Sequence, residues 1–310
     1  MRAGTEHMAK KRRPLALALE YYAARALVLF LAIFPLSISA WIGRRFGGVW
    51  RLLDKSHRRR AEHQVEEVLG LDPPAARAFV KTNFGNFGMA LAEFAHLTRM
   101  RADDFRRYVD YGDFEKTVHG LLAEGKGLLF ITAHFGNWEW CNSNAATMGL
   151  TGGSIARPLD NPRLNEFVRS VREKNGLKIF DKTGAIRKAL RALQANGVVG
   201  ILFDQYGGRD GMLSPFLGKP AYTFTVPVEL AMRTGSPMIV VGLMRGGKDG
   251  KRFTMLYQPE PFRHNPDAEP EAEKKRLADA LNVELGRMIM QAPEQWFWIH
   301  RRWKSPKSSG

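Results

Sequence analysis

Apolar residues are spaced along this chain in three ways, and each spacing predicts a different element. The first is a continuous run. Eighteen residues from Ala26 to Gly43 carry no charge, which as a helix spans about 27 Å at ~1.5 Å per residue. A bilayer core is ~30 Å thick, so the run can just cross one. Pro35 falls inside it and would kink a helix. Glu20 and Arg25 interrupt the approach to the run, and Arg44, Arg45 and Arg51 follow it. With basic residues on both sides, loop charge assigns no orientation. A membrane anchor, spanning or interfacial, is the leading reading. A leader cleaved after Ser37-Ile38-Ser39 and a buried core helix are the alternatives.

The second spacing is helical. Residues 56–70 and 73–97 read as helices, and Pro73-Pro74 suits the start of the second. Phe84, Phe87, Leu91 and Phe94 recur every three or four positions, one face turned to a core. Residues 163–175, 184–195, 224–234 and 271–291 follow the same period. The third spacing is the short apolar block. Residues 127–133, 197–203, 237–244 and 253–258 read as buried strands. Gly152-Gly153 and Gly207-Gly208 read as turn glycines, and 265–273 as a surface connection.

Strands alternating with helices from 127 to 245 predict an α/β domain, its mostly parallel sheet flanked by helices. An N-terminal hydrophobic anchor (1–50) and a helical preamble (51–120) precede an α/β core (121–305), and 51–305 forms one domain.

Composition changes this picture little, but charge changes it more. The chain has 310 residues, 45% hydrophobic and 25% charged, which excludes a disordered or polytopic membrane protein. One cysteine, Cys141, excludes a disulfide framework and a cysteine zinc site. The net charge of +16 suggests an anionic partner. Residues 1–60 hold thirteen Lys/Arg and three acids, a net +10, and residues 301–310 hold a further four basic residues. The remaining body carries only +2. Basic ends on a nearly neutral body favour a membrane surface and disfavour nucleic acid, for which no recognition motif is present.

The chemistry concentrates in Thr132-Ala133-His134-Phe135-Gly136-Asn137-Trp138-Glu139. A histidine ends a buried strand, a glycine turn follows, and an acid lies five residues on. On one continuous helix the two side chains would point about 140° apart at ~3.6 residues per turn. They meet if His134 lies on the turn and Glu139 in the first helical turn, with Asn137 as N-cap. A carboxylate on one imidazole nitrogen fixes the tautomer and leaves the other nitrogen as a general base. On spacing alone, such a pair is more often structural than catalytic. Cys141 has no base placed for it and reads as inert. His300 reads as structural, and Trp296, Trp298 and Trp303 read as core.

His134-x4-Glu139 within HFGNWE resembles the signature of the glycerolipid acyltransferase superfamily, most closely its late (secondary) lipid A biosynthesis acyltransferases. Four more blocks match in order. They are Arg157-Pro158 with Asn161-Pro162 and Arg172, Asp204-Gln205, Pro215-Phe216-x-Gly218, and Ala292-Pro293-Glu294-Gln295 through His300-Arg301-Arg302. Ala156 stands where the family usually has tyrosine. The resemblance covers essentially residues 15–305.

It implies transfer of an acyl chain from a thioester to a lipid hydroxyl, with no metal and no cofactor beyond the donor, acyl carrier protein or acyl-CoA. His134 is then the general base and Glu139 its orienting acid. Arg157 and Arg172 would hold acceptor phosphates or the donor's phosphopantetheine, and Asn137 and Asp204 belong to the substrate site. The implied partners are acyl carrier protein, an anionic lipid acceptor and a membrane surface, at the cytoplasmic face of the bacterial inner membrane. Another glycolipid or lysophospholipid acceptor, such as a phosphatidylinositol mannoside, and a non-catalytic lipid-binding protein are the competing readings.

Overall fold

The computed structural model describes residues 14–174, 177–181, 184–247 and 250–304. The basic cluster Lys10, Lys11, Arg12 and Arg13 and the tail with Lys307 lie outside them. Four long helices come first: α1 (Pro14–Ile33), α2 (Leu36–Leu53), α3 (Lys55–Leu69) and α4 (Pro73–Leu97). Then follow α5 (Phe105–Tyr108), β1 (Val109–Asp110), α6 (Phe114–Leu122), β2 (Leu128–Thr132), α7 (Trp138–Asn144) and β3 (Gly152–Ala156). Next come α8 (Pro162–Glu173), β4 (Lys178–Asp181), α9 (Ala185–Gln194) and β5 (Val198–Leu202). A hairpin of β6 (Met212–Phe216) and β7 (Lys219–Thr223) leads to α10 (Val226–Thr234). The chain closes with β8 (Met238–Arg245), β9 (Phe253–Tyr257) and α11 (Pro270–Ile289).

The helix limits follow local chemistry. Asp72 accepts the Ala75 N–H at 2.8 Å and Pro73 opens α4, so the start read from sequence is met to the residue. Gly70 ends α3 in the left-handed region. The long uncharged run is not one helix. The backbone turns out of helix at Pro35, which cannot donate to the preceding turn. Its first part ends α1, which begins upstream at Pro14. Its second part opens α2, so a boundary at residue 50 falls inside a helix. Among the described residues α1 is the only helix long and apolar enough to cross a membrane.

α2 is locked onto α4 through glycines. A Cβ at Gly88 would stand 1.8 Å from the Gly43 carbonyl oxygen, and one at Gly43 2.2 Å from that of Gly88. Gly88→Leu is therefore expected to push the helices apart, at about the 1–3 kcal/mol of an overpacked core. Thermal unfolding would read this as a lower Tm, and an unchanged Tm would show that the two backbones do not meet.

The sheet has seven strands in the order β1-β9-β8-β2-β5-β3-β4. β8, β2, β5, β3 and β4 run parallel, while β9 is antiparallel to β8. The fold is thus α/β with a mostly parallel sheet, as the pattern predicts. Gly152-Gly153 is not a turn but the start of β3, where a Cβ at Gly152 would meet the Val198 carbonyl oxygen at 1.9 Å. Side chains alternate across the strands. Leu129, Ile131, Val199 and Ile201 face a core closed by α9, α10, α11 and the buried Trp296 and Trp298. Leu128, Phe130, Val198 and Val241 face the other side, beneath α4, α6 and α7. The tryptophan cluster is core, as read.

Candidate active site

β2 and β5 are neighbours, and their ends are level: Thr132 is opposite Leu202. The ladder continues one bond further, from the Phe203 N–H to the Thr132 carbonyl at 2.8 Å. Two residues beyond each strand stand His134 and Asp204. Asp204 Oδ2 accepts the His134 backbone N–H and Oδ1 faces the ring Nδ1, both at 2.9 Å. Trp296 Nε1 donates to Oδ2 at 2.8 Å. Asp204 is fully buried. Burial alone would raise its pKa, but the adjoining His134, through charge and hydrogen bonding, together with His300 holds it well below the usual carboxylate range. With Nδ1 assigned as the donor to Asp204, Nε2 carries the free lone pair. Gln205 Nε2 lies 3.5 Å from it.

The turn after His134 requires its glycine. Gly136 sits at φ +58°, and a Cβ there would stand 2.0 Å from the Leu243 carbonyl oxygen. The Gly136 N–H bonds the Gln295 carbonyl at 3.1 Å, and the Phe297 N–H bonds that of His134 at 3.0 Å. The closing segment is thereby laid along the turn that carries His134. His300 packs its ring 4.8 Å from that of His134. Burial pushes its pKa down to about 4, so at neutral pH it is uncharged.

His134, Asp204 and His300 offer ligand atoms within 4.8 Å of one another, a spacing a metal ion could use. Asp204, however, already accepts from three donors. The group is better described as a polarised His–Asp dyad beside a neutral imidazole than as a ligand set.

The other residues expected at the site divide. Glu139 is hydrogen-bonded to Arg172, and the carboxylate bonded to the His134 ring is that of Asp204. The Glu139 carboxylate receives Arg172 Nε at 2.8 Å and Nη2 at 2.5 Å. Burial raises the Glu139 pKa, but the Arg172 charge and hydrogen bonds, with the nearby His134, together outweigh it and the net shift is downward. Arg172 is in turn committed to Glu139 and is no free phosphate clamp, although both line the cavity. Asn137 caps α7, accepting the Trp140 N–H at 3.1 Å, and is fully buried away from the cavity. Asp204 is bonded to His134 and Trp296 and does not line the cavity. Arg157 lines the cavity and is committed to no buried partner. It stands at the cavity mouth, its side chain 84% exposed, loosely paired with Asp160 at 3.9 Å. Burial pushes the Cys141 thiol up to about 12, in keeping with an inert cysteine.

The cavity encloses about 590 Å³ on the α7 side of the sheet. Its mouth holds His134, Gln205, Arg157 and Asp160, and its buried end holds Phe114, Phe130, Leu177 and Met255. A polar, charged rim around the His134 imidazole and a buried apolar end suit a molecule with a polar head and a hydrocarbon tail. Sequence reasoning did not single out Trp296 or Gln205 here, nor the bond between Asp204 and His134. One signal was available, since each of the two parallel core strands is followed at the same offset by a titratable residue.

A family model described as bacterial lipid A biosynthesis acyltransferase matches residues 8–305. The chain is 25% identical over 231 residues to a lipid A biosynthesis lauroyltransferase of Escherichia coli (strain K12), covering 74% of this chain and 72% of that protein. It is 24% identical over 276 residues to a lipid A biosynthesis palmitoleoyltransferase of the same strain, covering 87% and 86%. A lipid A biosynthesis acyltransferase of Shigella flexneri shows the same 24% identity and coverage.

Proposed function

The chain belongs to the bacterial lipid A biosynthesis acyltransferase family and is an O-acyltransferase, and on that premise we propose that it moves a fatty acyl chain from a carrier-protein thioester to a hydroxyl of a lipid A precursor at the cytoplasmic face of the inner membrane. The observation that carries this reading is the His134–Asp204 dyad at the mouth of a cavity whose buried end is apolar.

In the proposed reaction His134 Nε2 removes the hydroxyl proton as the oxygen attacks the thioester carbonyl. The C–O bond forms and the carbonyl becomes a tetrahedral oxyanion. The Gly136 and Asn137 amides are spent on Gln295 and Leu243, which leaves those of Trp138 and Glu139 at the start of α7 as its donors. Collapse breaks the C–S bond, and the imidazolium returns its proton to the leaving thiolate. A thiol with a pKa near ~8.5 leaves without a strong acid. Asp204 holds the ring and offsets the imidazolium charge. Arg157, exposed on the cavity lining, pairs with a phosphate of acceptor or donor in this reading.

Membrane contact is supported by the outer faces of the first two helices. Leu15, Leu19 and Ile33 on α1 and Ile38, Trp41 and Leu53 on α2 are all exposed. Asn161 Nδ2, at the entry to α8, donates to the Leu17 carbonyl at 2.8 Å, so this apolar surface is joined to the cavity rim. The test is incubation of the full chain in mixed micelles with acyl carrier protein thioester and a lipid A precursor. A product heavier by one acyl chain in the mass spectrum is expected. Transfer to a lysophospholipid instead would overturn the acceptor, and no transfer to either would overturn the reading.

A further inference from the structure

Gly200 sits in the middle of β5, paired with Phe130 of β2 on one side and Ser154 of β3 on the other. A glycine inside a strand weakens it and marks a bulge, a bend or a close approach. None of the usual reasons applies here. A Cβ at Gly152 or Gly153 would strike a neighbouring backbone, but one at Gly200 would meet only Ser154, its Oγ at 2.8 Å and its Cβ at 3.7 Å. Every other direction is open, and the opening is the cavity. The missing side chain therefore supplies room for a ligand rather than backbone freedom.

Its position along the cavity is informative. Gly200 is four residues before Asp204, about 13 Å down the strand at ~3.3 Å per residue. Polar rim lies above it. Beside it stand Phe130 on one strand and Ser154, bonded to Asn142, on the other, and the lining also includes the buried Phe114, Leu177, Val241 and Met255.

We propose that Gly200 is a specificity-determining residue: the bare stretch of β5 lets a long donor chain pass from the thioester end into the apolar end of the cavity. This rests on the acyl-transfer reading above. A side chain at 200 closes the passage and leaves the mouth intact, so it discriminates between donors by length.

The test is Gly200→Val in the full chain, assayed with lauroyl and butyryl thioesters of the carrier protein on one lipid A precursor. The lauroyl kcat/KM is expected to fall roughly 10–200-fold, the range for a methylene-scale misfit in an apolar pocket, while the butyryl kcat/KM stays near that of the unmodified chain. Butyryl turnover doubles as the folding control. Gly200→Ala should fall between. The Ser154 hydroxyl is held by Asn142 Oδ1 at 2.6 Å, so Ser154→Ala/Gly200→Val removes the one contact a Cβ would strain, and the same discrimination is expected of it. A parallel fall with both donors, or no fall with lauroyl, overturns the proposal. Failure of the unmodified chain to transfer either acyl group overturns the acyl-transfer reading instead.

Discussion

His134→Ala is expected to slow acyl transfer by ~10²–10⁴-fold, the usual worth of a positioned general base, and Asp204→Asn by a comparable factor with the imidazole still in place. The second result is the more telling. Asp204 accepts from three donors: the His134 N–H, the His134 ring and Trp296 Nε1. An amide has one oxygen and one NH2, so at least one of these donors would face another donor. If the NH2 faces the ring, His134 must present a lone pair at Nδ1 and carry its proton on Nε2. It then cannot take a proton from the acceptor. The same tautomer error costs about 10⁴ in a serine protease triad. Steady-state kinetics with circular dichroism as a folding check would measure it. Near-normal turnover in either variant would remove the dyad from the mechanism.

The second large effect separates two roles for Glu139. If Glu139 oriented His134, removing it would cost activity and little stability. The structure pairs it with Arg172, with the two side chains 13% and 25% exposed. Breaking a buried pair from one side leaves an uncompensated charge, at 3–5 kcal/mol for full burial. Because Arg172 keeps some exposure, about 3 kcal/mol is expected for Glu139→Ala, and a similar loss for Arg172→Met. Removing both, as Glu139→Ala/Arg172→Met, should recover most of that stability, since apolar replacements of a buried pair are often near neutral. Denaturant unfolding of the two single variants and the double variant gives the coupling directly. Additive losses would mean that the two groups do not act as a pair.

Local chemistry was legible in the sequence. Asp72 before Pro73, the period of Phe84, Phe87 and Phe94, and the apolar blocks at 127–133 and 197–203 led to elements that the structure contains. What resisted reading was pairing between distant segments. β3 opens on two glycines, β4 is a short edge strand with Lys178 and Asp181 at its ends, and Pro215 and Pro220 hide the hairpin. Proline and glycine argue against strands, and tertiary pairing overrode that preference. The site failed to read through for the same reason. Glu139 is the nearest acid in sequence to His134, so spacing favoured it. Asp204 is nearest in space because β5 lies beside β2, and strand order cannot be counted along a chain. Arg172 looked like a free cation until α8 brought it against α7.

The level ends of β2 and β5 separate two kinds of heredity in this chain. His134 and Asp204 are held by a backbone ladder, which cares little for side-chain identity. α7, β3, α8 and β4, which supply much of the cavity wall, are all strung between those two strands. Substitution, lengthening or loss within that intervening stretch can recast what the cavity admits while His134 and Asp204 stay in register. A lineage can therefore drift from one acyl chain or acceptor to another without passing through an inactive ancestor, and relatives that differ in what they transfer need not differ in how.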